Sequence, residues 1–560
     1  MTSQSSKRRK KFSSRRGGFG RRFVLVNTRL RILLAFTAAA VVVLAALSVV
    51  FPREPTYQGR RLSAWLRDLE HGGPEITARN VRAREAVRQI GSNAVPCLVK
   101  MLRVQDPSWK TEAIGWLQDK CNIDWSFSLA NVQWHRAIIG FDMLGRTAEP
   151  AIPELRAMIS GADGDLALRA AEALRGIGGP ATARFFLEAL NSTNLPIRGE
   201  AITSLGRVRS GAREAVPALL KELESNETTL RLQAARALGE IALDAGATVP
   251  ALTRCLSDSA VGVKAAAALS LGSFGTNAMA ALPALRALGA DPDETLRRAA
   301  RFAAVRVQCE IHDGAIIRGP RDQKRIALVF TGHEFGEGGE TILNELARHE
   351  SRASFFLTGA FLTNSQFTAL VGQIQEEWHY LGPHSDRHLL YCAWDEPRKT
   401  LVNEGQFQED LLANAAKIPG NSNDGRRFSR YFLPPFEHYN REIADWTRAN
   451  GWTLINFTPG TRANADYTGE ADKNFVSSQK IFDSIVARER EEPDGLNGFI
   501  LLLHLGAGPG RADKFHARFG ELLDYLAGRG YEFVRVDELL RPPRDSGFTN
   551  AFPRSFRSNR

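Results

Sequence analysis

The chain has 560 residues, of which 43% are hydrophobic and 24% charged, so it has the composition of a globular protein and too many residues for a single core. Two to four domains are therefore expected. The pI of about 9.6 is typical of nucleic-acid binders, but residues 1–31 carry 11 Lys and Arg and no acidic residue, which leaves 62 basic and 62 acidic residues elsewhere. The rest of the chain is formally neutral, and its charge argues against nucleic acid as a partner.

An uncharged run of 20 residues at 32–51 directly follows the basic tail. A helix of this length crosses a hydrocarbon layer of about 30 Å. Because lysine and arginine stay on the cytoplasmic side of a span, the run predicts a single-pass helix in the inner (plasma) membrane, with residues 1–31 as a cytoplasmic tail and the bulk periplasmic. A buried helix and a cleavable signal peptide are the alternatives, although a signal peptide's apolar region usually has only about 7 to 15 residues.

Residues 60–310 repeat a pattern with a period of 33 residues. The period is marked by glycines and prolines at matching positions: Gly206, Gly239 and Gly272, and Pro217, Pro250 and Pro283. Each unit is predicted to be a helix, a glycine-containing turn and a second helix opened by proline. The pattern resembles HEAT-type repeats of the short bacterial kind, an α-solenoid of six or seven units whose long surface implies a protein partner.

Four tryptophans crowd the interval between residues 102 and 137, where the period breaks; they are Trp109, Trp116, Trp125 and Trp134. An enlarged repeat there would either present aromatic rings to a partner or a sugar, or use them to wedge two misfit repeats together. The five cysteines, at 97, 121, 255, 309 and 392, include no CxxC pair. They are expected to be buried thiols, with disulfide pairing as the alternative in an oxidising compartment.

From about residue 311 the pattern changes to short apolar runs that alternate with helices, which predicts a parallel α/β sheet or barrel. The predicted strands lie at 325–330, 353–359, 430–437, 453–460, 499–506 and 531–540. Residues 541–560 are rich in Pro, Ser and Arg and are predicted to form a disordered tail.

Histidines follow several of these strands. His333 and Glu334 come after the first strand, His384 and His388 lie in the motif HSDRH, and His504 ends the run at 499–506. Functional groups of parallel α/β barrels gather at the carboxyl ends of the strands, and several imidazoles with a carboxylate are typical of a metal hydrolase. The alternative is a set of unrelated surface histidines.

Over residues 318–540 the motifs resemble the NodB-type polysaccharide deacetylases of carbohydrate esterase family 4. The run SFFLTG at 354–359 is similar to their second strand, HSDRH to their two-histidine metal motif, and LLLH at 501–504 to the strand that carries a general-acid histidine. The resemblance implies an irregular (β/α) barrel at 311–540 that removes N- or O-acetyl groups from a glycan with a divalent metal, zinc foremost.

The sequence departs from the family pattern at the first strand. The family motif T-F-D-D-G supplies a catalytic base and a metal ligand, whereas this strand ends in VFTGHEF at 329–335 without either aspartate. In the third motif, Leu433 replaces an arginine and Phe436 a tyrosine.

The resemblance and these departures imply His333, His384 and His388 as metal ligands, Glu334 as the base and His504 as the general acid. The reverse assignment, with Glu334 as ligand and His333 as base, remains open. Substrate contacts are assigned to Pro435, Phe436 and Asp466. The competing hypothesis is an inactive sugar- or metal-binding domain on a membrane-tethered scaffold.

Overall fold

The computed structural model describes residues 54–70, 78–121, 129–419 and 430–542. The predicted cytoplasmic tail and membrane span, Trp125 and all but the first two residues of the C-terminal tail lie outside these ranges, so the interpretations of them stay predictions. Within the described ranges, Val261–Leu288 is long and apolar enough to cross a membrane, but 67% of its apolar 18-residue window is buried inside the solenoid. It is two core helices joined by a 3₁₀ segment, Gly272–Ala281.

A short antiparallel hairpin, β1 (Thr56–Tyr57) and β2 (Arg60–Arg61), precedes the helical region. Six helix pairs follow within the described ranges, and the first helices of neighbouring pairs pack on one another. The pairs are Ala78–Ile90 with Val95–Leu102, Ala130–Leu144 with Ile152–Ile159, Gly164–Ile177 with Pro180–Ala189, Leu195–Val208 with Val216–Glu222, Thr228–Ile241 with Ala245–Cys255, and Val261–Leu271 with Leu282–Leu288. Helix Leu62–Glu70 precedes them, Ser108–Cys121 is inserted after the first pair, and Glu294–Arg306 closes the stack.

Gly206 and Gly239 mark helix packing rather than turns, which corrects the prediction for these two, whereas Gly272 begins the turn segment Gly272–Ala281 as predicted. Gly206 and Gly239 lie inside the first helices of their pairs. A Cβ on Gly206 would lie 2.9 Å from the Cα of Ala237, and one on Gly239 would lie 2.7 Å from the Cα of Ser270. The 33-residue period therefore records where one first helix touches the backbone of the next.

The repeating prolines only partly follow the prediction. Pro217 and Pro283 stand in the first turn of their helices, whereas Pro250 lies inside a helix that begins at Ala245.

The crowded tryptophans divide between two roles. Trp134 is the wedge, since its indole N–H donates to the Val104 carbonyl at 2.7 Å and the Arg169 guanidinium covers its ring at 3.8 Å. Trp109 and Trp116 are 68% and 59% exposed.

The described thiols are free, and most of them are buried as expected. Cys255, Cys309 and Cys392 are buried and Cys97 is half-buried. Burial raises the pKa of the Cys97 and Cys392 thiols to about 11.

The C-terminal domain is built on nine strands. They are β3 (Glu310–His312), β4 (Ala315–Arg318), β5 (Arg325–Gly332), β6 (Ser354–Leu357), β7 (Tyr380–Pro383), β8 (Tyr431–Phe432), β9 (Thr453–Leu454), β10 (Phe499–His504) and β11 (Glu532–Val534) in the part that the structure describes. Its helices are Gly339–Arg348, Gly359–Thr363, Thr368–Glu376, Glu404–Lys417, Arg441–Ala449, Ser478–Glu491, Phe519–Gly528 and Val536–Leu539.

The sheet curls upon itself. The strand order is β3-β4-β10-β5-β6-β7, with β11 beside β5, and β5, β6, β7 and β10 run parallel. A separate parallel pair, β8 and β9, bridges the two ends: Leu433 N–H donates to the Pro383 carbonyl at 3.4 Å, and Asn456 N–H donates to the Ile316 carbonyl at 2.9 Å. The curled sheet thus encloses an inner face.

Side chains alternate between the two faces of the sheet. Ile326, Leu328 and Phe330 pack outward under the helices, while Ala327 and Val329 belong to the inner cluster. This alternation turns the residues at the carboxyl ends of the parallel strands toward the enclosed face.

The solenoid packs against the C-terminal domain. Helix Arg441–Ala449 supplies two arginines to the carbonyl groups of residues 239–241, at the end of helix Thr228–Ile241. Arg448 donates at 3.2 and 3.3 Å and Arg441 at 2.9 Å. Cations are favoured at the carboxyl end of a helix because its unpaired carbonyls carry partial negative charge.

The C-terminal domain also contacts the solenoid near both ends of the stack. In the first pair Arg88 Nη2 donates to Gln408 Oε1 at 2.8 Å. In the last pair Thr276 N–H donates at 3.0 Å to the carbonyl of Cys309, a member of the inner core of the C-terminal domain. One face of the expected interaction surface is therefore occupied within the same chain.

Candidate functional site

The site lies on the enclosed face, at the carboxyl ends of the parallel strands. Thr331 near the end of β5 pairs with His504 at the end of β10, and His384 follows β7 directly. The Thr331 hydroxyl is buried without a hydrogen-bond partner in the described part of the chain. Thr331 and Gly332 stand at the strand end where the family motif has its two aspartates.

His384 is buried and held in one orientation. Its Nδ1 donates to the Leu433 carbonyl at 2.9 Å, which leaves Nε2 with a free lone pair. Burial holds the pKa of His384 well below its usual value. The ring is therefore a neutral imidazole with one nitrogen available as a ligand.

Residues 384–388, which we term the histidine loop, are anchored by helix Glu404–Lys417. The buried Asp410 carboxylate accepts hydrogen bonds from the amides of Asp386 and Arg387, at 3.2 and 3.0 Å, and from the Tyr391 hydroxyl at 2.6 Å. Asn414 accepts from the His384 amide at 2.7 Å. Ser385 and His388 have φ of 75° and 53°, so these anchors hold a strained backbone.

Two rings lie against His388. Its centroid is 4.2 Å from that of His333, which stacks on it, and 4.2 Å from that of Phe436, which is tilted by 41°. Burial lowers the pKa of His388 to about 3 and also lowers that of His333. The structure therefore brings His333 and His388 together as neutral, stacked rings.

Glu334, the predicted base, lies at the rim. Its side chain is 68% exposed, and its Oε1 is 3.9 Å from His333 Nε2. The other nitrogen of His333 is 3.2 Å from the Thr358 hydroxyl.

His504 forms a close pair with Asp466. The ring Nδ1 donates to Asp466 Oδ1 at 2.6 Å, and the His504 amide donates to Oδ2 at 2.8 Å. Burial alone would lower the pKa of His504, but the Asp466 carboxylate outweighs it and the pKa is raised. Asp466, predicted to contact substrate, is thus placed where it orients and charges the histidine predicted to be the general acid.

Glu437 ends one of the predicted strands, but sequence reasoning assigned it no role. Its carboxyl is buried, 3.9 Å from His384 Nε2, and burial raises its pKa to about 7. Phe436 and Glu437 have consecutive positive φ values of 59° and 53°, and this turn directs Glu437 inward. The available signal was a carboxylate next to the predicted contacts Pro435 and Phe436.

Exposed aromatic rings border the enclosed face where His384 and His504 lie, which we term the cleft. Phe436, Trp394 and Tyr467 are 41%, 60% and 49% exposed. Trp394 stacks on His438 at 4.2 Å, and Tyr467 lies 4.8 Å from the His504 ring. Pro435, in contrast, is buried and supports the turn.

The donors in the site have the chemistry that a divalent cation needs, but not yet the geometry. No three His, Cys, Asp or Glu side chains are already placed to hold an ion, among the residues described. The chemistry nevertheless fits: three imidazoles have lowered pKa values, and the Thr331 hydroxyl is an orphaned buried polar atom. Rotation of the stacked rings would be required for their nitrogens to converge.

Comparison with known families gives a match within the helical region and another within the C-terminal domain. Residues 152–221 and 216–304 match the model of HEAT repeats, and residues 318–455 match the model described as polysaccharide deacetylase. Residues 318–455 form a polysaccharide deacetylase domain. Both predicted resemblances are confirmed.

Curated relatives match the chain over a length close to that of the deacetylase domain. The peptidoglycan-N-acetylglucosamine deacetylase PgdA of Listeria monocytogenes is 24% identical over 223 residues, which cover 39% of this chain and 39% of that protein. A peptidoglycan-N-acetylglucosamine deacetylase of Bacillus cereus is 24% identical over 233 residues, 40% of this chain and 91% of that protein.

Solved structures similar to this chain include PdaA of Bacillus subtilis, a family 4 carbohydrate esterase. It is 21% identical, with 41% of this chain and 85% of that chain covered and a TM-score of 0.33. A CE4 family pseudoenzyme from Bacillus anthracis is 18% identical, with coverage of 42% and 72% and a TM-score of 0.32.

Proposed function

We propose that the protein is a membrane-anchored, metal-dependent deacetylase that removes acetyl groups from a glycan of the cell envelope. The observation that carries the proposal is the position of the His504–Asp466 pair in the same cleft as His384, among neutral imidazoles at the carboxyl ends of the strands. An acid on one side and ligand nitrogens on the other are what acyl hydrolysis requires.

The predicted ligands His333, His384 and His388 would hold the cation, which would supply Lewis acidity toward the acetyl carbonyl and lower the pKa of a bound water. His504 holds the proton that the leaving amine or alkoxide needs, a role worth about 10²- to 10⁴-fold in rate. Asp466 keeps the proton on His504 by lying 2.6 Å from Nδ1. The buried walls exclude bulk water from this transfer.

The substrate class follows from the aromatic border and from the relatives. Phe436, Trp394 and Tyr467 expose ring faces beside the cleft, and such faces stack on the apolar sides of sugar rings. The curated relatives are named for N-acetylglucosamine of peptidoglycan. We therefore propose an N-acetylated amino sugar within a glycan strand as the substrate.

The test is acetate release by the purified full chain in detergent. Oligomers of N-acetylglucosamine and purified peptidoglycan are incubated with and without Zn²⁺, and acetate and new free amines are measured together. Both products should appear in equal amounts with the metal and vanish in the His504→Asn variant. Absence of both products from every substrate and with every divalent metal would refute the proposal.

A second candidate is an inactive glycan-binding domain. It is favoured by Thr331 and Gly332, which replace both aspartates of the family motif. This candidate predicts that the protein binds the oligosaccharides without acetate release, and that His504→Asn leaves binding unchanged.

Location and partner belong to the same proposal. The uncharged run 32–51 behind a basic tail supports one span with the remaining chain in the periplasm, and the outward surface of the repeats would bind a protein. Protease added to spheroplasts should digest everything after the span and leave residues 1–31 protected. Protection of the deacetylase domain would refute this topology.

A further inference from the structure

A carboxylate is missing at the end of β5, but another carboxylate enters the same cleft from elsewhere. Thr331 and Gly332 offer no charged oxygen, whereas Glu437 reaches the enclosed face from the turn after β8. We propose that Glu437 and His384 bind one divalent cation together, so that Glu437 replaces the missing aspartate as a ligand. This inference rests on the proposed metal-dependent function and places Glu437, instead of His333, in the ligand set named there.

The separation of the two donors suits a shared ion. Glu437 Oε1 lies 3.9 Å from His384 Nε2. Bonds from zinc to imidazole nitrogen and to carboxylate oxygen are each about 2.1 Å, so two of them span up to about 4.2 Å. Because Nδ1 of His384 is engaged by the Leu433 carbonyl, Nε2 is the nitrogen with a free lone pair. Both atoms are therefore within reach of one ion.

The Glu437 carboxyl is mostly buried beside His384. Its side chain is only 10% exposed, and His384 Nε2, at 3.9 Å from Oε1, lies beyond hydrogen-bond distance. A buried, ionised carboxylate without a donor or a cation is costly. A divalent cation beside His384 removes that cost.

The backbone is also distorted in a way that serves this placement. Phe436 and Glu437 both occupy the left-handed region, which residues with a Cβ adopt at a cost. The turn is held by Asn456, whose Nδ2 donates to the Glu437 carbonyl at 2.7 Å. Strain of this kind persists where surrounding structure enforces it, often at a functional site.

His388 is the nearest third donor. Its ring centroid is 5.3 Å from that of His384, and the ring stacks on His333 and lies tilted against Phe436. Two imidazoles and one carboxylate form a donor set that catalytic zinc sites use. Glu334, at 68% side-chain exposure, lies at the rim instead.

The experiment measures Zn²⁺ affinity of the full-length protein by competition with a chromophoric chelator, without substrate. Glu437→Gln keeps the size of the side chain and removes its charge, and Glu334→Gln is the matched control. We expect Glu437→Gln and His384→Gln each to weaken Zn²⁺ binding at least about 10-fold, since loss even of an outer-shell partner costs about 10- to 100-fold. Glu334→Gln should bind as the unmodified protein does.

Thermal unfolding is the control for misfolding of the variant. Without metal, Glu437→Gln should melt no lower than the unmodified protein, and it should lose the rise in Tm that Zn²⁺ produces. Unchanged Zn²⁺ affinity in Glu437→Gln, or equal weakening in Glu334→Gln, would overturn the assignment. Since no substrate is involved, failure of acetate release with intact, Glu437-dependent metal binding would count against the proposed reaction and not against this ligand.

Discussion

The Asp466–His504 pair gives the most direct test of the candidate acid. Asp466→Asn keeps one acceptor oxygen and removes the negative charge beside His504 Nδ1. A hydrogen bond to a charged group contributes about 1.5–3 kcal/mol, and about 1.36 kcal/mol corresponds to one pKa unit. We therefore expect the protonated form of His504 to lose about 1.5–3 kcal/mol of stabilisation in the variant, so that its pKa falls.

The direction of the pH effect follows from the role of the proton. A general acid works in its protonated form, so kcat/KM should decline as pH rises through the raised pKa of His504. In Asp466→Asn this decline should begin at lower pH. The His504 ring protons, assigned by comparison with His504→Asn, report the same pKa in an NMR titration that needs no activity.

The effect of Asp466→Asn on the free energy of unfolding should also be larger at low pH than at high pH. A group whose pKa is raised in the folded state stabilises the fold fully below its unfolded pKa, about 6.5 for histidine, and loses this contribution as pH rises through the folded pKa. Asp466→Asn should therefore lose more unfolding free energy at pH 6 than at pH 9. Asp483→Asn, an exposed carboxylate on helix Ser478–Glu491, is the control. A His504 pKa that is unchanged in Asp466→Asn would refute the reasoning.

Three further substitutions test other parts of the molecule. Asp410→Ala removes the acceptor of the Asp386 and Arg387 amides and of the Tyr391 hydroxyl, at about 1–3 kcal/mol each. Urea unfolding should therefore show a loss of about 2–5 kcal/mol in the free energy of unfolding. An unchanged midpoint would contradict this anchoring role. Trp394→Ala removes one aromatic contact to the proposed sugar substrate, worth about 0.5–1.5 kcal/mol. It should raise KM about 2- to 10-fold at constant kcat. A fall in kcat alone would contradict a stacking role. Gly239→Val forces a side chain against a neighbouring helix backbone at 2.7 Å and should cost at least about 1–3 kcal/mol in thermal unfolding. Gly246→Val, with nothing within 4 Å, is its control, and equal stability of the two variants would contradict the packing role.

The repeats could be predicted because their signal is periodic. A packing requirement that recurs at every helix contact leaves Gly206, Gly239 and Gly272 at equal intervals in the sequence. The same residues were assigned to turns, since spacing alone does not distinguish a glycine that bends the chain from one that lets two helices approach. The contact with Ala237 or Ser270 distinguishes them.

The site could be predicted where its residues follow strands. His384 comes directly after β7 and His504 ends β10, so their convergence follows from parallel pairing. Glu437 could not be found this way, because its direction depends on two left-handed residues in a turn. Asp410 and Asn414 belong to no motif, and they reach the histidine loop only because helix Glu404–Lys417 packs beneath it.

The attachment of the solenoid at both ends has a consequence for how the protein can evolve. Arg88 holds the first helix pair to Gln408, and Thr276 holds the last pair to Cys309. Free solenoids gain or lose repeats readily, because each unit contacts only its neighbours. Here an added or deleted unit would shift one anchor by the width of a helix pair, so the breadth of the C-terminal domain sets the number of repeats that the chain can carry.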